Sequence, residues 1–434
     1  MPRRRAPPHL AAAFAAEMMR YHRIASNVAL ALASPKSIHR RASPFLHRMS
    51  SSSTTCVERT VTCSDGISLS AQCWEVPPST VAGSDSNSRP KRKILCLHGW
   101  LDNSSSFNLL APRLAAHLHD TGIPTEIVAL DLPGHGRSSH KGKDGPPQLL
   151  SEYCYYVSEF LDEMGWTSES NDDADDSNNK SNDPNQIIFI GHSMGAGIST
   201  TFAASFPDVV DSIILLEGTG PLARRCEDTT KHIRNAVERR KRGNRAIYGD
   251  HGEGGIGDSV SDIGGGSGGG AGSKAKGVRV YPSIEDAVKA TARLAPGKQW
   301  LSEEAARAMV ERAVVPYIST PAAQMALSSA RAAGENVQGF TDESVCFRHD
   351  PRLQWPSLQY FTREQVDAIF ANVQCPVCLI IAEDGWPFGS RERESVVRLL
   401  KPAHMKTLPG SHHFHADNDT FEAVYREVAT FLER

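Results

Sequence analysis

The stretch Gln186–Gly197, QIIFIGHSMGAG, restricts the architecture of this 434-residue chain more than any other. Ile187 to Ile190 is a short apolar, β-branched run, the pattern of a strand buried on both faces of a parallel sheet. It leads into Gly191-His192-Ser193-Met194-Gly195, a G-x-S-x-G, and a small-residue helical segment follows from Ala196 to Phe206. In a loop, that pattern is common and says little. Between a strand and a helix it describes a sharp turn, with glycines where a Cβ would clash. Such a turn lifts the Ser193 hydroxyl clear of the sheet edge. It also aims the free N–H groups and the positive dipole end of the helix at any oxyanion formed there. Ser193 is therefore the candidate nucleophile.

The surrounding chain supplies the rest of a sheet. Val57–Val76 reads as two strands turning at Ser64-Asp65-Gly66, and Ser79–Arg92 as a polar linker. Lys93–Leu97 is a buried strand that delivers His98-Gly99-Trp100-Leu101-Asp102-Asn103, with a helix near Phe107–Leu118. Glu126–Leu130 is the next strand, ending in DLPGHGRS at Asp131–Ser138, and a helix spans about Gln148–Met164. Ser168–Asn185 is almost wholly Asp, Asn and Ser, a solvated loop. Val210–Leu216 is a strand closing at Glu217-Gly218. From Thr219 to about Gln365 the pattern becomes helical, with an Arg-rich segment to Arg242 and helical spacing over Ser283–Leu294, Ser302–Arg312 and Pro321–Ala333. Within it Gly243–Gly277 is a Gly/Ser low-complexity tract, read as flexible. The basic cluster Arg224–Arg245 reads as a solvated helix face in preference to a docking patch. Strand–helix alternation resumes with Pro376–Ala382, a helix near Arg391–Leu400, a strand at Met405–Leu408 and a helix at Thr420–Leu432. Alternating β and α predicts a mostly parallel sheet with helices on both faces, its active site beyond the carboxyl ends of the strands.

Composition narrows the function. Lys+Arg 47 against Asp+Glu 50 leaves a net charge of -3, which predicts no general attraction to nucleic acid or anionic membrane. No apolar run is long enough to span a bilayer. Nine scattered cysteines suit a reducing compartment, and Cys375-Pro376-Val377-Cys378 reads as buried thiols rather than a metal or redox pair. Residues 1–56 form a separate leader. They are rich in Arg, Ala and Ser, with Glu17 the only acid before Glu58, as in an organelle transit peptide. The expectation is mitochondrial targeting; a basic tail on a cytoplasmic protein is the alternative.

A serine hydroxyl needs a base, and in this architecture the triad runs Ser, acid, His in chain order. His412, in Pro409-Gly410-Ser411-His412-His413-Phe414-His415 after the last strand, is the chosen base. His413 and His415 read as supporting or packing residues, and His192 as packing under the turn. The oxyanion donors are the N–H of Met194 and, from the loop after His98-Gly99, the N–H of Trp100. Two places compete for the acid. Asp384 follows the penultimate strand, in Ile381-Ala382-Glu383-Asp384-Gly385-Trp386. Against a G-x-x-D form it comes one residue early, and Gly385 stands where the Asp belongs. Glu217, at the end of the strand after Ser193, is the alternative. Asp384 is preferred. No metal or cofactor is implied.

LHGWLDN at Leu97–Asn103 and GHGRSSH at Gly134–His140, together with the Ser193 motif, resemble the serine hydrolase-like proteins of the α/β-hydrolase superfamily over about Val57–Arg434. The resemblance implies an eight-stranded sheet, a helical cap and hydrolase activity on an unidentified substrate. In that family too the strand-seven acid position is irregular, while an acidic residue ends strand six. Related epoxide hydrolases and haloalkane dehalogenases use an aspartate nucleophile, which Ser193 argues against. The expected domains are a hydrolase core of 57–218 and 366–434 and a cap of 219–365. The expected function is a carboxylesterase-like serine hydrolase acting on a small ester or related acyl substrate. The rival is a small-molecule binding protein on a retained hydrolase scaffold.

Overall fold

Strands with apolar residues at every position must be covered on both sides, and the strands of this chain are. The computed structural model describes residues 54–76, 92–142, 149–167, 187–248, 279–292, 301–320 and 341–434. Among them an eight-stranded sheet is built from β1 (Thr55–Thr62), β2 (Ser68–Glu75), β3 (Arg92–Leu97), β4 (Thr125–Leu130), β5 (Ile187–His192), β6 (Val210–Leu216), β7 (Val377–Asp384) and β8 (His404–Ser411). Their order is β1-β2-β4-β3-β5-β6-β7-β8. Only the β1–β2 and β2–β4 pairs are antiparallel; the remaining pairs are parallel.

The period-two alternation sorts each strand's side chains between two cores. Leu95, Leu97, Ile187, Phe189, Ile213, Leu215 and Leu379 face one side. There they meet Tyr156 and Phe160 of α2 (Leu150–Glu163) and Phe202 of α3 (Met194–Ser205). Ile94, Cys96, Ile188, Ile190, Ile214, Leu216, Cys378 and Ile380 face the other, against Leu110, Leu114 and Leu118 of α1 (Leu110–Asp120) and Val424 and Val428 of the C-terminal helix Phe421–Leu432. Fully burying each such side chain contributes about 1.5–3 kcal/mol, so these two layers are the main favourable term holding the sheet. Cys375 and Cys378 are unbridged, and burial pushes their thiols up to about 11 and about 12, which suits packing.

Between β6 and β7 the chain makes a long excursion. It carries α4 (Thr229–Tyr248), α5 (Ile284–Ala292) and α6 (Glu303–Ala313). The sequence pattern predicts helices alone here. The structure adds a three-stranded antiparallel sheet, Val280–Tyr281, Val345–Phe347 and Val314–Pro316. Such short strands are too brief to register a periodicity. The Gly-rich tract also starts later than composition suggests. α4 continues through Gly243 to Tyr248; a Cβ at 243 would lie 2.5 Å from Trp355 Cε2, so that glycine serves a close approach. The rest of that tract, the linker, the Asp/Asn/Ser loop, the Pro321–Ala333 helix and the leader up to residue 53 lie outside the described residues.

The excursion is tied to the sheet by a buried cation. Arg312 of α6 donates from Nε to Asp131 at 2.8 Å and from Nη1 to Glu58 at 2.5 Å. Asp131, fully buried after β4, also accepts from the Ser104 and Arg137 amides, each at 2.7 Å. The Asp131–Ser138 motif is thus a junction of three segments. No helix among the described residues is long and apolar enough to cross a membrane.

Candidate active site

The turn after β5 is strained at its centre. Ser193 has φ 52° and ψ −110° and caps α3. A Cβ at residue 195 would lie 2.0 Å from the Leu97 carbonyl oxygen, so a glycine there lets α3 start directly against the end of β3. Ser193 is one of three non-glycine residues with positive φ at the carboxyl ends of adjacent strands. The others are Leu101 (61°) after β3 and Glu217 (50°) after β6. Each such backbone costs of order 1–3 kcal/mol, and clustering of this kind marks functional sites.

Glu217 is the residue that meets His412. Its carboxylate is buried and accepts from the Ala382 amide at 2.7 Å, from the Trp386 amide at 2.7 Å and from His412 Nδ1 at 3.0 Å. Asp384, the acid preferred on sequence, is exposed and has no hydrogen bond to His412. The physical reason lies in β7. A register irregularity between Ala382 and Asp384 ends the strand with Glu383 and Asp384 turned outward. Gly385 then leaves the space that Glu217 fills, for a Cβ there would sit 2.2 Å from Glu217 Oε2. The assignment is corrected accordingly: the carboxylate beside the ring comes from β6.

Ser193 follows β5 and His412 follows β8; Gly218, after the intervening β6, packs its backbone against Ser193 beside Glu217. Among the described residues the Ser193 hydroxyl makes no hydrogen bond. The Met194 amide is the first of α3 and has no acceptor within the helix. The Trp100 indole is 52% exposed, so it is not a core residue; its Nε1 donates to the Leu353 carbonyl at 3.0 Å, linking the post-β3 loop to the excursion.

Beneath these residues lies a cluster that sequence reasoning assigned only in part. His192, fully buried, donates from Nε2 to the His412 carbonyl at 2.9 Å. His413 Nε2 lies 3.1 Å from Asp102 Oδ2, and His192 Nδ1 lies 3.4 Å from the same oxygen. The His415 ring is 4.2 Å from that of His192. Burial pushes His192 down to about 4 and holds His415 well below the ordinary range. Burial also opposes a charge on His413, but the Asp102 carboxylate outweighs it and the pKa rises. Burial works against ionisation of Asp102 too, yet the carboxyl is held well below its usual range, His413 being the largest of the opposing influences. Asp102 was legible only as part of the LHGWLDN string, without a role.

The family model described as alpha/beta hydrolase fold matches residues 93–271. A serine hydrolase-like protein of Dictyostelium discoideum is 27% identical over 85% of this chain and 79% of its own. One of Danio rerio is 26% identical over 79% of this chain and 82% of its own. Among solved structures, a hypothetical protein of Pseudomonas aeruginosa aligns with TM-score 0.60 and 25% identity over 87% of this chain and 99% of that one. A thioesterase domain from the curacin biosynthetic pathway shares the fold at TM-score 0.56 and 17% identity, over 87% and 99% of the two chains. These likenesses support a hydrolase. With its sheet order, its Ser193 turn and these likenesses taken together, the chain has the α/β-hydrolase fold and is similar to the serine hydrolase-like proteins.

Proposed function

We propose that this protein is a serine hydrolase that cleaves a small ester or related acyl substrate through an acyl-enzyme. The observation that carries the reading is the buried Glu217 carboxylate holding His412 Nδ1 at 3.0 Å, together with a strained serine turn at φ 52°. With Nδ1–H engaged by Glu217, the other nitrogen, Nε2, carries the lone pair that can take a proton from Ser193. Ser193 Oγ then attacks the carbonyl carbon, and its proton passes to Nε2. The Met194 and Trp100 amides stabilise the oxyanion. Collapse of the tetrahedral intermediate breaks the bond to the leaving group, which takes the proton from Nε2. Water, deprotonated by the same nitrogen, releases the acid and restores Ser193. Glu217 stabilises the imidazolium formed in both halves without itself being protonated. The excursion between β6 and β7 acts as a cap, with the Trp100–Leu353 contact as one point where it meets the site.

The test is labelling with a fluorophosphonate and turnover of a short-chain aryl ester. Wild-type protein is expected to label and turn over, and Ser193→Ala to do neither while remaining folded. A folded wild-type protein that never labels and hydrolyses no ester would leave the binding-protein reading in its stead.

A further inference from the structure

The hydrogen bonding of His192 leaves an electron pair in a place where it has no partner. Its Nε2 meets the His412 carbonyl oxygen at 2.9 Å. A carbonyl only accepts, so Nε2 carries the ring proton, and in the neutral ring Nδ1 is a bare lone pair. That nitrogen is buried, makes no hydrogen bond, and faces Asp102 Oδ2 at 3.4 Å. Two electron-rich atoms thus oppose each other, the nitrogen itself being shielded from water. His413 Nε2 completes a triangle, 3.1 Å from the same carboxylate oxygen, and the three ligand atoms lie within 4.8 Å of one another.

We infer that Asp102, His192 Nδ1 and His413 Nε2 form a binding site for a divalent transition-metal ion, with Zn2+ the best-fitting class. Zinc binds histidine nitrogen and carboxylate oxygen at about 2.0–2.2 Å, so two ligands of a tetrahedral ion lie about 3.4 Å apart. The 3.1 and 3.4 Å separations already match that edge, and the third pair lies within 4.8 Å. Two imidazoles and one carboxylate suit zinc rather than calcium or magnesium, which prefer oxygen. Room for the ion comes from Gly99. A Cβ there would lie 2.7 Å from Asp102 Oδ2 and 3.0 Å from His192 Nδ1, so the missing side chain leaves the face between the two ligands open. The outer arrangement is also that of a metal site, for a ligating histidine characteristically donates its other N–H to a carbonyl or carboxylate. Here that carbonyl belongs to His412. His415, buried with both ring nitrogens unpartnered, has its ring 4.2 Å from that of His192. Binding at this cluster does not depend on Ser193 acting as a nucleophile.

The measurement is Zn2+ uptake by the full chain after stripping with a chelator, read by equilibrium dialysis. One ion per chain is expected. Asp102→Asn and His413→Gln should each weaken uptake by roughly 10–100-fold or more. His404→Ala, which removes a partly buried histidine paired with Glu427 outside the cluster, should change nothing. If the cluster variants fail to fold, Co2+ added to wild-type protein decides. A ligand-field absorption of a low-symmetry nitrogen–oxygen site, without thiolate charge transfer, supports the site. No uptake by the wild type, uptake unaltered in folded Asp102→Asn and His413→Gln, or uptake lost in His404→Ala overturns it. A proton on His192 Nδ1, seen by 15N NMR in protein that refuses zinc, would identify the bridging cation as hydrogen instead.

Discussion

Replacing Glu217 by glutamine separates the two carboxylates more sharply than any other change. All three groups that reach the Glu217 carboxylate are donors. Oε1 accepts from Ala382, and Oε2 accepts from both Trp386 and His412. Glutamine supplies one oxygen and one NH2. Its least costly orientation keeps the oxygen at the Oε2 position, facing two donors, and turns the NH2 against the Ala382 amide. That leaves a buried donor unsatisfied, which costs about 1–3 kcal/mol of stability. His412 Nδ1–H still finds an acceptor, so the ring tautomer survives, but the negative charge that stabilises the imidazolium is gone. In the serine-protease case an Asp→Asn change that also spoils the tautomer costs about 10⁴ in turnover, or roughly 5 kcal/mol. The expected loss for Glu217→Gln is therefore about 10²–10⁴ in kcat, with KM little changed, because the effect falls on the chemical step. Asp384→Asn alters an exposed side chain and should stay within about 0.5 kcal/mol in stability and within twofold in turnover. The assay is aryl-ester hydrolysis alongside urea unfolding for both variants. A folded Glu217→Gln enzyme within tenfold of wild type, or an Asp384→Asn enzyme equally impaired, would refute the argument.

Gly385→Ala should reproduce much of the Glu217→Gln defect without touching the acid, since its Cβ would arrive 2.2 Å from Glu217 Oε2; ester turnover at wild-type level would show that the loop can yield. Arg312→Ala removes the cation from fully buried Asp131 and should cost about 3–5 kcal/mol in urea unfolding, with a loss near zero counting against the junction. Stability should also fall in acid. Burial, with the neighbouring His140 charge, pushes His349 down to about 4, and burial lowers His98 and His135 in the same sense. Their unfolded values lie near ~6.5, so below that pH the unfolded chain binds more protons than the fold. The slope is up to about 1.4 kcal/mol per pH unit for each histidine, down to its folded value. Urea midpoints at pH 7.5 and pH 5 in the presence of chelator test it, and an equal or higher midpoint at pH 5 would contradict it.

The sheet could be read from the chain because its strands announce themselves twice, by unbroken β-branched runs and by the polar or glycine-bearing turn at the end of each run. Val210–Leu216 emerges with the bounds its composition implies. β5 extends two residues further than its apolar run, through Gly191 and His192, because the backbone stays extended up to the strained Ser193. The excursion was less legible. Its two- and three-residue strands carry no period, and the glycines that suggest a flexible tract from 243 onward include one that packs α4 against Trp355. Composition cannot distinguish a glycine selected for freedom from one selected for lack of volume.

The acid exposes a deeper limit of linear reading. A motif fixes a residue by its count along one strand, yet the quantity that matters is which atom reaches the ring. On β7 the count puts Asp384 one residue from the expected position, and on a strand a one-residue displacement reverses the face. No rotamer of a short aspartate recovers that difference. Gly385, which looks like a loss in the motif, is what admits a carboxylate from the neighbouring strand. Glu217 reaches it from the end of β6 through a positive-φ backbone, and two β7-side amides that would otherwise lie unpaired hold it there. The absent side chain on one strand and the longer acid on the next are thus one structural fact. It becomes visible only when the two strand ends lie side by side.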